Sequence, residues 1–146
     1  MRIYIGADHR GVELKTKIKK ILEARKYQVV DLGTNDPDTS CDYPVVAYKV
    51  ATAVAKDKTS KGILACMSGI GQSIAANKVK GAYAALCYTP LAATLSRQHN
   101  NSNILVLGVG FIKKTDISKI VNNWLDAEFE GGRHLRRFKQ IQALEK

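Results

Sequence analysis

The sequence contains few cysteines, histidines or prolines: each occurs only three times among 146 residues. Cys41, Cys66 and Cys87 are odd in number and show no paired spacing, which argues against a disulfide framework. No histidine stands at a ligand spacing from a cysteine or another histidine, so the pattern predicts no metal site. The longest apolar runs, such as residues 104–107, are far too short to span a bilayer, and we expect no membrane partner.

The sequence shows no linker and no internal repeat, and we expect no secretory leader. Its first residues enter a strand-like pattern directly, without the basic region and apolar stretch of a signal peptide, which predicts a cytoplasmic protein. No Pro/Ser-rich or low-complexity tract interrupts the sequence. We therefore expect one domain spanning residues 1–146, long enough to bury a hydrophobic core.

Positive charge is abundant. Lysine and arginine number 23 against 13 aspartates and glutamates, a formal net charge of +10. The lysines are spread along predicted helix faces and loops, which is typical of a solvated basic surface. A nucleic-acid partner is the alternative interpretation of this charge, and we do not expect one.

Strand-like and helix-like segments alternate along the chain. The strand-like runs are Arg2–Gly6, Tyr27–Asp31, Gly62–Cys66, Tyr83–Cys87 and Asn103–Leu107. Apolar residues recur at helical spacing between and after them, at Leu14, Ile18, Ile21 and Leu22, at Val46, Val50, Ala53 and Val54, and at Ile117, Ile120, Val121, Trp124 and Leu125. This alternation predicts an α/β fold: a single Rossmann-like domain with a five-stranded parallel sheet and helices on both faces.

A cysteine and a glycine-rich turn follow the third predicted strand. Cys66 stands at the strand end, and Ser68, Gly69 and Gly71 form the turn before a helical segment. Ligands of open α/β sheets bind outside the carboxyl ends of the strands, where helix N-termini attract anions. Backbone N–H groups of such a turn favour thiolate, so Cys66 is a candidate reactive group. The structural alternative is that Cys66 only fills space in the core.

The turn differs from familiar phosphate-binding loops. A cysteine-phosphatase loop carries an arginine six residues after its cysteine, and this chain has Gln72 there. No Gly-Lys-Ser/Thr ends the turn as in a Walker loop. Ile74 stands where the dinucleotide fingerprint needs its third glycine. The reaction class therefore stays open at this point.

Three further groups of residues are candidates for function. Asp8 and His9 follow the first predicted strand, where they can bind hydroxyls and phosphate, although Asp8 can also simply cap the next helix. We place His99 with Cys66, in the region where an α/β fold concentrates its chemistry, as a general acid or base. A role as a helix C-terminal cap is its alternative. Arg133 and Arg137 share one helix face, which suits a phosphate group or a solvated surface.

Taken together, these residues resemble the type B ribose-5-phosphate isomerases, part of a wider family that includes the galactose-6-phosphate and allose-6-phosphate isomerases. The matching segments run in the expected order along the chain: residues 6–9, 42–44, 66–71, 73–78, 95–100 and 130–134. The resemblance implies reversible interconversion of ribose 5-phosphate and ribulose 5-phosphate, a step of the pentose phosphate pathway. It also implies that neither a metal nor an organic cofactor is needed.

The resemblance assigns a role to each candidate residue. His99 would open the furanose ring, and Cys66 would carry the proton between C2 and C1. The Ser68 hydroxyl and the backbone N–H groups of the turn would face the enediolate oxygen. The remaining substrate contacts implied are Asp8, His9, Tyr43, Met67, Gly69, Ile70, Gly71, Asn100, Arg133 and Arg137. Each pocket would be built from two subunits, which implies a homodimer or a dimer of dimers.

The chain departs from the family pattern at two positions and matches one of its two subtypes. Some relatives use a glutamate in the following helix as base, but Ala75 stands there, which favours the cysteine type. Gly110 lies in the segment where many relatives carry arginine, and Met67 replaces a common glycine. The alternative functions are isomerisation of a six-carbon aldose phosphate, such as allose 6-phosphate or galactose 6-phosphate, and non-catalytic binding of phosphate or nucleic acid.

Overall fold

Five parallel strands form the centre of the molecule in the computed structural model, which describes residues 1–146. The strands are β1 (Arg2–Ala7), β2 (Gln28–Asp31), β3 (Lys61–Cys66), β4 (Ala84–Leu86) and β5 (Ile104–Gly108). Their order across the sheet is β2-β1-β3-β5-β4. Every strand begins and ends within one residue of its predicted run, because continuous apolar segments of this length suit a sheet covered on both faces.

Six α-helices connect and follow the strands. They are α1 (Val12–Ala24), α2 (Tyr43–Lys56), α3 (Ile70–Ala76), α4 (Pro90–Asn100), α5 (Ile117–Asp126) and α6 (Arg133–Ala143). Short 3₁₀ turns at His9–Gly11 and Lys114–Asp116 precede α1 and α5. No helix is long and apolar enough to cross a membrane.

The helix boundaries follow from local chemistry. Pro44 and Pro90 occupy the first turns of α2 and α4, where the missing proline N–H costs nothing. The Thr89 hydroxyl accepts a hydrogen bond from the Ala92 N–H and caps α4. Asn101 then ends α4 in the left-handed conformation, at φ 49°.

Two apolar layers sandwich the sheet. One layer joins α1, α4 and α5 to strand residues such as Ile5 and Leu105, and it contains the fully buried Trp124. The other packs α2 and α3 against Leu64, Ile104 and Val106. The predicted α/β architecture, with helices on both faces of a five-stranded parallel sheet, is confirmed.

The chain changes direction across the sheet between β1 and β3. The helix that follows β1 packs on one face, and the helix that follows β3 packs on the other. Their divergence opens a crevice outside the carboxyl ends of these neighbouring strands, the place where open α/β sheets bind ligands. Asp8, which follows β1, and Cys66, the last residue of β3, lie at these strand ends.

Candidate active site

A cleft of about 510 Å³ lies at this crevice. It is lined by Asp8, Tyr43, Cys66, Met67, Ser68, Ile70, Gly71 and Ile74. Seven of these residues are among the predicted site residues, and only Ile74 was not predicted. Its position one turn beyond Ile70 on α3 is the signal that would have identified it.

Cys66 lies at the bottom of the cleft. Its side chain is 5% exposed, and its Sγ accepts a hydrogen bond from the Gly69 N–H at 3.0 Å. Burial raises the pKa of the Cys66 thiol, and the nearby Asp8 carboxylate acts in the same direction. The N–H groups of Gly69, Ser68 and Gln72 lower this pKa, but burial outweighs them. The turn therefore favours thiolate as expected, but within this chain desolvation is the larger effect and raises the pKa of the thiol.

Backbone geometry explains the glycines of the turn. Gly69 adopts φ 81°, a left-handed conformation that side chains strain. Gly71 lies against the Tyr43 ring, and a Cβ added there would come within 2.4 Å of a ring carbon. The turn thus brings Tyr43 over the cleft. The Ser68 hydroxyl accepts from the Ile70 N–H at 3.1 Å, which fixes its position at the cleft wall.

Asp8 and His9 are held by backbone groups. The buried Asp8 carboxylate accepts from the Arg10 and Gly11 N–H groups, at 3.0 and 3.1 Å. It therefore acts as the helix cap that was its structural alternative, while the same side chain also lines the cleft. His9 Nδ1 accepts from the Cys41 N–H at 3.1 Å, so the proton of the neutral ring lies on Nε2. That N–H is a donor at the edge of the site.

Met67 and Gly110 fit together beside the cleft. The Gly110 N–H donates to the Met67 carbonyl at 2.9 Å, and a Cβ at Gly110 would lie 3.0 Å from Met67 Sδ and Cε. Met67 is 43% exposed and lines the cleft. The two departures from the family pattern, Met67 and Gly110, are thus in contact, and the Met67 side chain packs where Gly110 has no side chain.

His99 and the arginines form a second group, at the start of α6 and the end of α4. The His99 ring stacks on His134, with centroids 4.2 Å apart and planes 8° from parallel. His134 is 7% exposed, and its Nε2 lies 3.6 Å from Glu130 Oε2. Burial, the neighbouring His99 and the nearby arginines lower the pKa of His134, which Glu130 opposes. Arg133 and Arg137, one turn apart on α6, are exposed, as is Asn100 at the end of α4.

His134 is the residue of this group that the sequence analysis did not single out. It lies inside the segment 130–134 quoted for the family resemblance, and its i, i+4 spacing from Glu130 was the available signal. The nitrogen and carboxylate atoms of His99, Glu130 and His134 lie within 4.8 Å of one another. The three residues could hold a metal ion only after one of the two imidazole rings reorients, because the nitrogen lone pairs of parallel stacked rings lie in separate planes.

The two groups lie at opposite edges of one sheet. Cys66 is the last residue of β3, at the carboxyl edge of the sheet. Helix α4 ends at the amino edge, because Asn103, three residues after α4, accepts a hydrogen bond from the Gly62 N–H near the start of β3. A six-residue strand spans about 20 Å, so His99 cannot approach Cys66 within one chain. The two residues could therefore share a pocket only if it were built from two subunits, as the family resemblance implies. A helix that connects two parallel strands runs antiparallel to them, so its last turn lies far from the carboxyl ends of the strands.

The fold and the cleft define the class of this protein: an α/β protein that binds small molecules at the carboxyl edge of a parallel sheet. Comparison with known proteins gives the family. The model of the family described as Ribose/Galactose Isomerase matches residues 3–141. Ribose-5-phosphate isomerase B of Escherichia coli strain K12 is 44% identical over 144 residues, covering 99% of this chain and 96% of its own. The chain belongs to the ribose/galactose isomerase family, and it is an aldose–ketose isomerase of sugar phosphates.

Solved structures agree with this assignment. Ribose-5-phosphate isomerase B of Clostridium thermocellum superimposes with a TM-score of 0.94 at 46% identity, covering 99% of this chain and 97% of that protein. The Mycoplasma genitalium enzyme, solved with bound ribulose 5-phosphate, gives a TM-score of 0.93 at 45% identity, covering 97% and 94%. The family resemblance of the sequence is thereby confirmed.

Proposed function

We propose that this chain is one domain, residues 1–146, that interconverts ribose 5-phosphate and ribulose 5-phosphate, with Cys66 as the proton carrier and no metal or organic cofactor. The observation that carries the proposal is the position of Cys66 at the bottom of the crevice between β1 and β3. A thiol there faces any substrate that enters. The similar Mycoplasma genitalium enzyme binds ribulose 5-phosphate, which supports a five-carbon substrate.

The proposed reaction moves one proton between adjacent carbons. The Cys66 thiolate takes the proton from C2 of the open-chain aldose, and an enediolate forms. A proton passes from O2 to O1, and the same sulfur returns its proton to C1, which leaves the carbonyl group at C2. Backbone N–H groups from Met67 to Gly71 and the Ser68 hydroxyl would stabilise the enediolate oxygen. Proton transfer by a positioned group contributes about 10²–10⁴-fold to such a rate.

Substrate contacts on the same edge of the sheet are also proposed. Asp8 and Tyr43 would hold sugar hydroxyls, and the His9 Nε2–H would donate to the phosphate. Met67, Gly69, Ile70 and Gly71 would form the wall of the pocket. Asp8 suits its role because its carboxylate is fixed by two backbone N–H groups and cannot rotate away.

The remaining groups would come from a second copy of the chain. His99 would open the furanose ring, Asn100 would contact the sugar, and Arg133 and Arg137 would bind the phosphate. Since these residues and Cys66 lie at opposite edges of one sheet, a complete site requires two subunits. Apolar residues line the cleft and are exposed, including Tyr43 at 42%, Ile70 at 51% and Ile74 at 60%. Such a surface supports a homodimer, or a dimer of dimers, that covers it.

One assay tests the proposal. Purified protein is given ribose 5-phosphate, allose 6-phosphate or galactose 6-phosphate in the presence of EDTA, and ketose formation is followed by NMR. We expect ribose 5-phosphate to give the highest kcat/KM, and Cys66→Ala to abolish turnover while Cys41→Ala retains it. A higher kcat/KM for a six-carbon substrate would establish the alternative isomerase function. Unchanged turnover by Cys66→Ala would exclude the cysteine as the base.

A further inference from the structure

A second cavity lies at the amino edge of the sheet, on the opposite side from the cleft that contains Cys66. Its volume is about 400 Å³, and it is bounded by the end of α2, the start of β3, the end of α4 and one face of α6. Three residues with cationic side chains line it: Lys58, Lys61 and Arg97. No aspartate or glutamate is among its lining residues.

Arg97 is the most buried of these cations. It is 9% exposed, and its Nη1 donates to the Asn101 side chain and the Ser102 carbonyl. Its Nε is buried and has no hydrogen-bond partner. No carboxylate lies within ion-pair distance of Arg97 or Lys61. Buried guanidinium groups are normally paired with an anion, so this arrangement lacks a negative partner.

Lys61 lies close to Arg97 and is partly buried. Burial and the neighbouring guanidinium lower the pKa of Lys61, which Glu128 opposes from outside ion-pair distance. The Lys61 Nζ also lies 5.8 Å from the centre of the Trp124 ring. Two like charges held close together and partly shielded from water destabilise the protein, and a bound anion would offset that cost.

We propose that the cavity lined by Lys58, Lys61 and Arg97 is a binding site for a phosphoryl group, separate from the proposed active site. A tetrahedral dianion fits this set, because the free edge of the guanidinium and two ammonium groups can surround its oxygens. The shared chemistry is a doubly charged phosphoryl group, either free phosphate or the phosphate of a small monoester. The site does not depend on the proposed isomerase function.

The single tryptophan of the chain provides a direct readout. Trp124 fluorescence is recorded while inorganic phosphate, and separately glycerol 2-phosphate, is titrated into the intact protein at constant ionic strength. We expect a saturable change whose dissociation constant rises about tenfold in Lys61→Gln, since a charge-assisted hydrogen bond is lost. Lys19→Gln makes the same charge change on α1, away from the cavity, and should bind as the wild type does.

Arg137→Gln separates this site from the proposed active site. We expect that variant to keep the fluorescence response and the phosphate affinity that it reports. A response to both ligands assigns a phosphomonoester site, and a response to inorganic phosphate alone restricts the site to the free ion. Equal affinities for Lys61→Gln and Lys19→Gln, loss of the response in Arg137→Gln alone, or no saturable binding in the wild type would each overturn the proposal. Because Lys61 is only partly buried, Lys61→Gln tests the site even if an Arg97 variant fails to fold.

Discussion

The imidazole rings of His99 and His134 lie face to face, 4.2 Å apart and within 8° of parallel. Glu130 flanks His134, whose side chain is almost fully buried between α4 and α6. A ring held in this way restricts rotation of the ring stacked on it. If His99 opens the substrate ring as proposed, then His134 is a positioning residue that fixes the plane in which His99 acts.

Removing the stacking ring should slow turnover without weakening substrate binding. We expect His134→Ala to lower kcat for ribose 5-phosphate about tenfold or more with KM little changed, because a misplaced catalytic group loses rate rather than affinity. His134→Phe keeps a flat ring and should recover most of the rate. With only three histidines in the chain, NMR can follow the His99 ring protons, which should shift in His134→Ala. A phenylalanine variant as slow as the alanine variant would contradict positioning by stacking.

His134 should also make stability depend on pH. Its pKa lies below the ordinary value of 6.5, so the native state binds fewer protons than the unfolded state just below that pH. The free energy of unfolding should therefore decrease as pH falls from 7.5 to 5.5. Urea unfolding at the two pH values should show a smaller decrease for His134→Phe than for the wild type. An equal decrease in both proteins would show that other groups cause the pH dependence.

Two inactive variants should restore activity to each other. Cys66→Ala and His99→Asn each remove one half of the proposed site, and these halves lie at opposite edges of one chain. Random reassociation after mixed refolding gives heterodimers with one intact site, so about a quarter of wild-type activity should return. Each variant refolded alone is the control. Failure to recover activity in verified heterodimers would exclude a site shared between subunits.

The reactivity of Cys66 should depend on the arginines of α6. The chain's own surroundings raise the pKa of this thiol through burial and Asp8, and cations from a second subunit would lower it. We expect Arg137→Gln to shift the pH midpoint of Cys66 alkylation by iodoacetamide upwards by about one unit. Cys41, alkylated in the same sample and resolved by mass spectrometry, is the internal control. An unchanged midpoint would place the arginine away from the thiol.

Met67 should restrict the size of the substrate. Its side chain lines the cleft and packs against Gly110, where an added Cβ would lie 3.0 Å from its Sδ and Cε. Met67→Gly should raise kcat/KM for allose 6-phosphate relative to that for ribose 5-phosphate, because loss of the side chain enlarges the cleft. A contact the size of one methylene group changes such a ratio about 10–200-fold. Competition between the two sugar phosphates measures the ratio directly. Met67→Leu, of similar volume, should preserve the wild-type preference.

Local patterns were sufficient to predict the strands and the carboxyl-edge cleft. The carboxyl ends of parallel strands lie at the same edge of the sheet, whatever the conformation of the loops. Asp8, directly after β1, and Cys66, at the end of β3, could therefore be placed close together from the sequence. Apolar spacing likewise predicted the buried faces of α1, α2 and α5, because burial follows helical periodicity.

The amino acid sequence by itself therefore determined the sheet, its covered faces and the residues at its carboxyl edge. Only the tertiary structure decided that His99 stacks on His134 and that Lys61 and Arg97 share a cavity without a carboxylate. It also decided the balance at Cys66, where burial outweighs the N–H groups of the turn. The physical reason is that these features depend on how segments far apart in sequence pack against one another. That packing sets the distances between their side chains and the amount of water excluded, and no local sequence pattern encodes it.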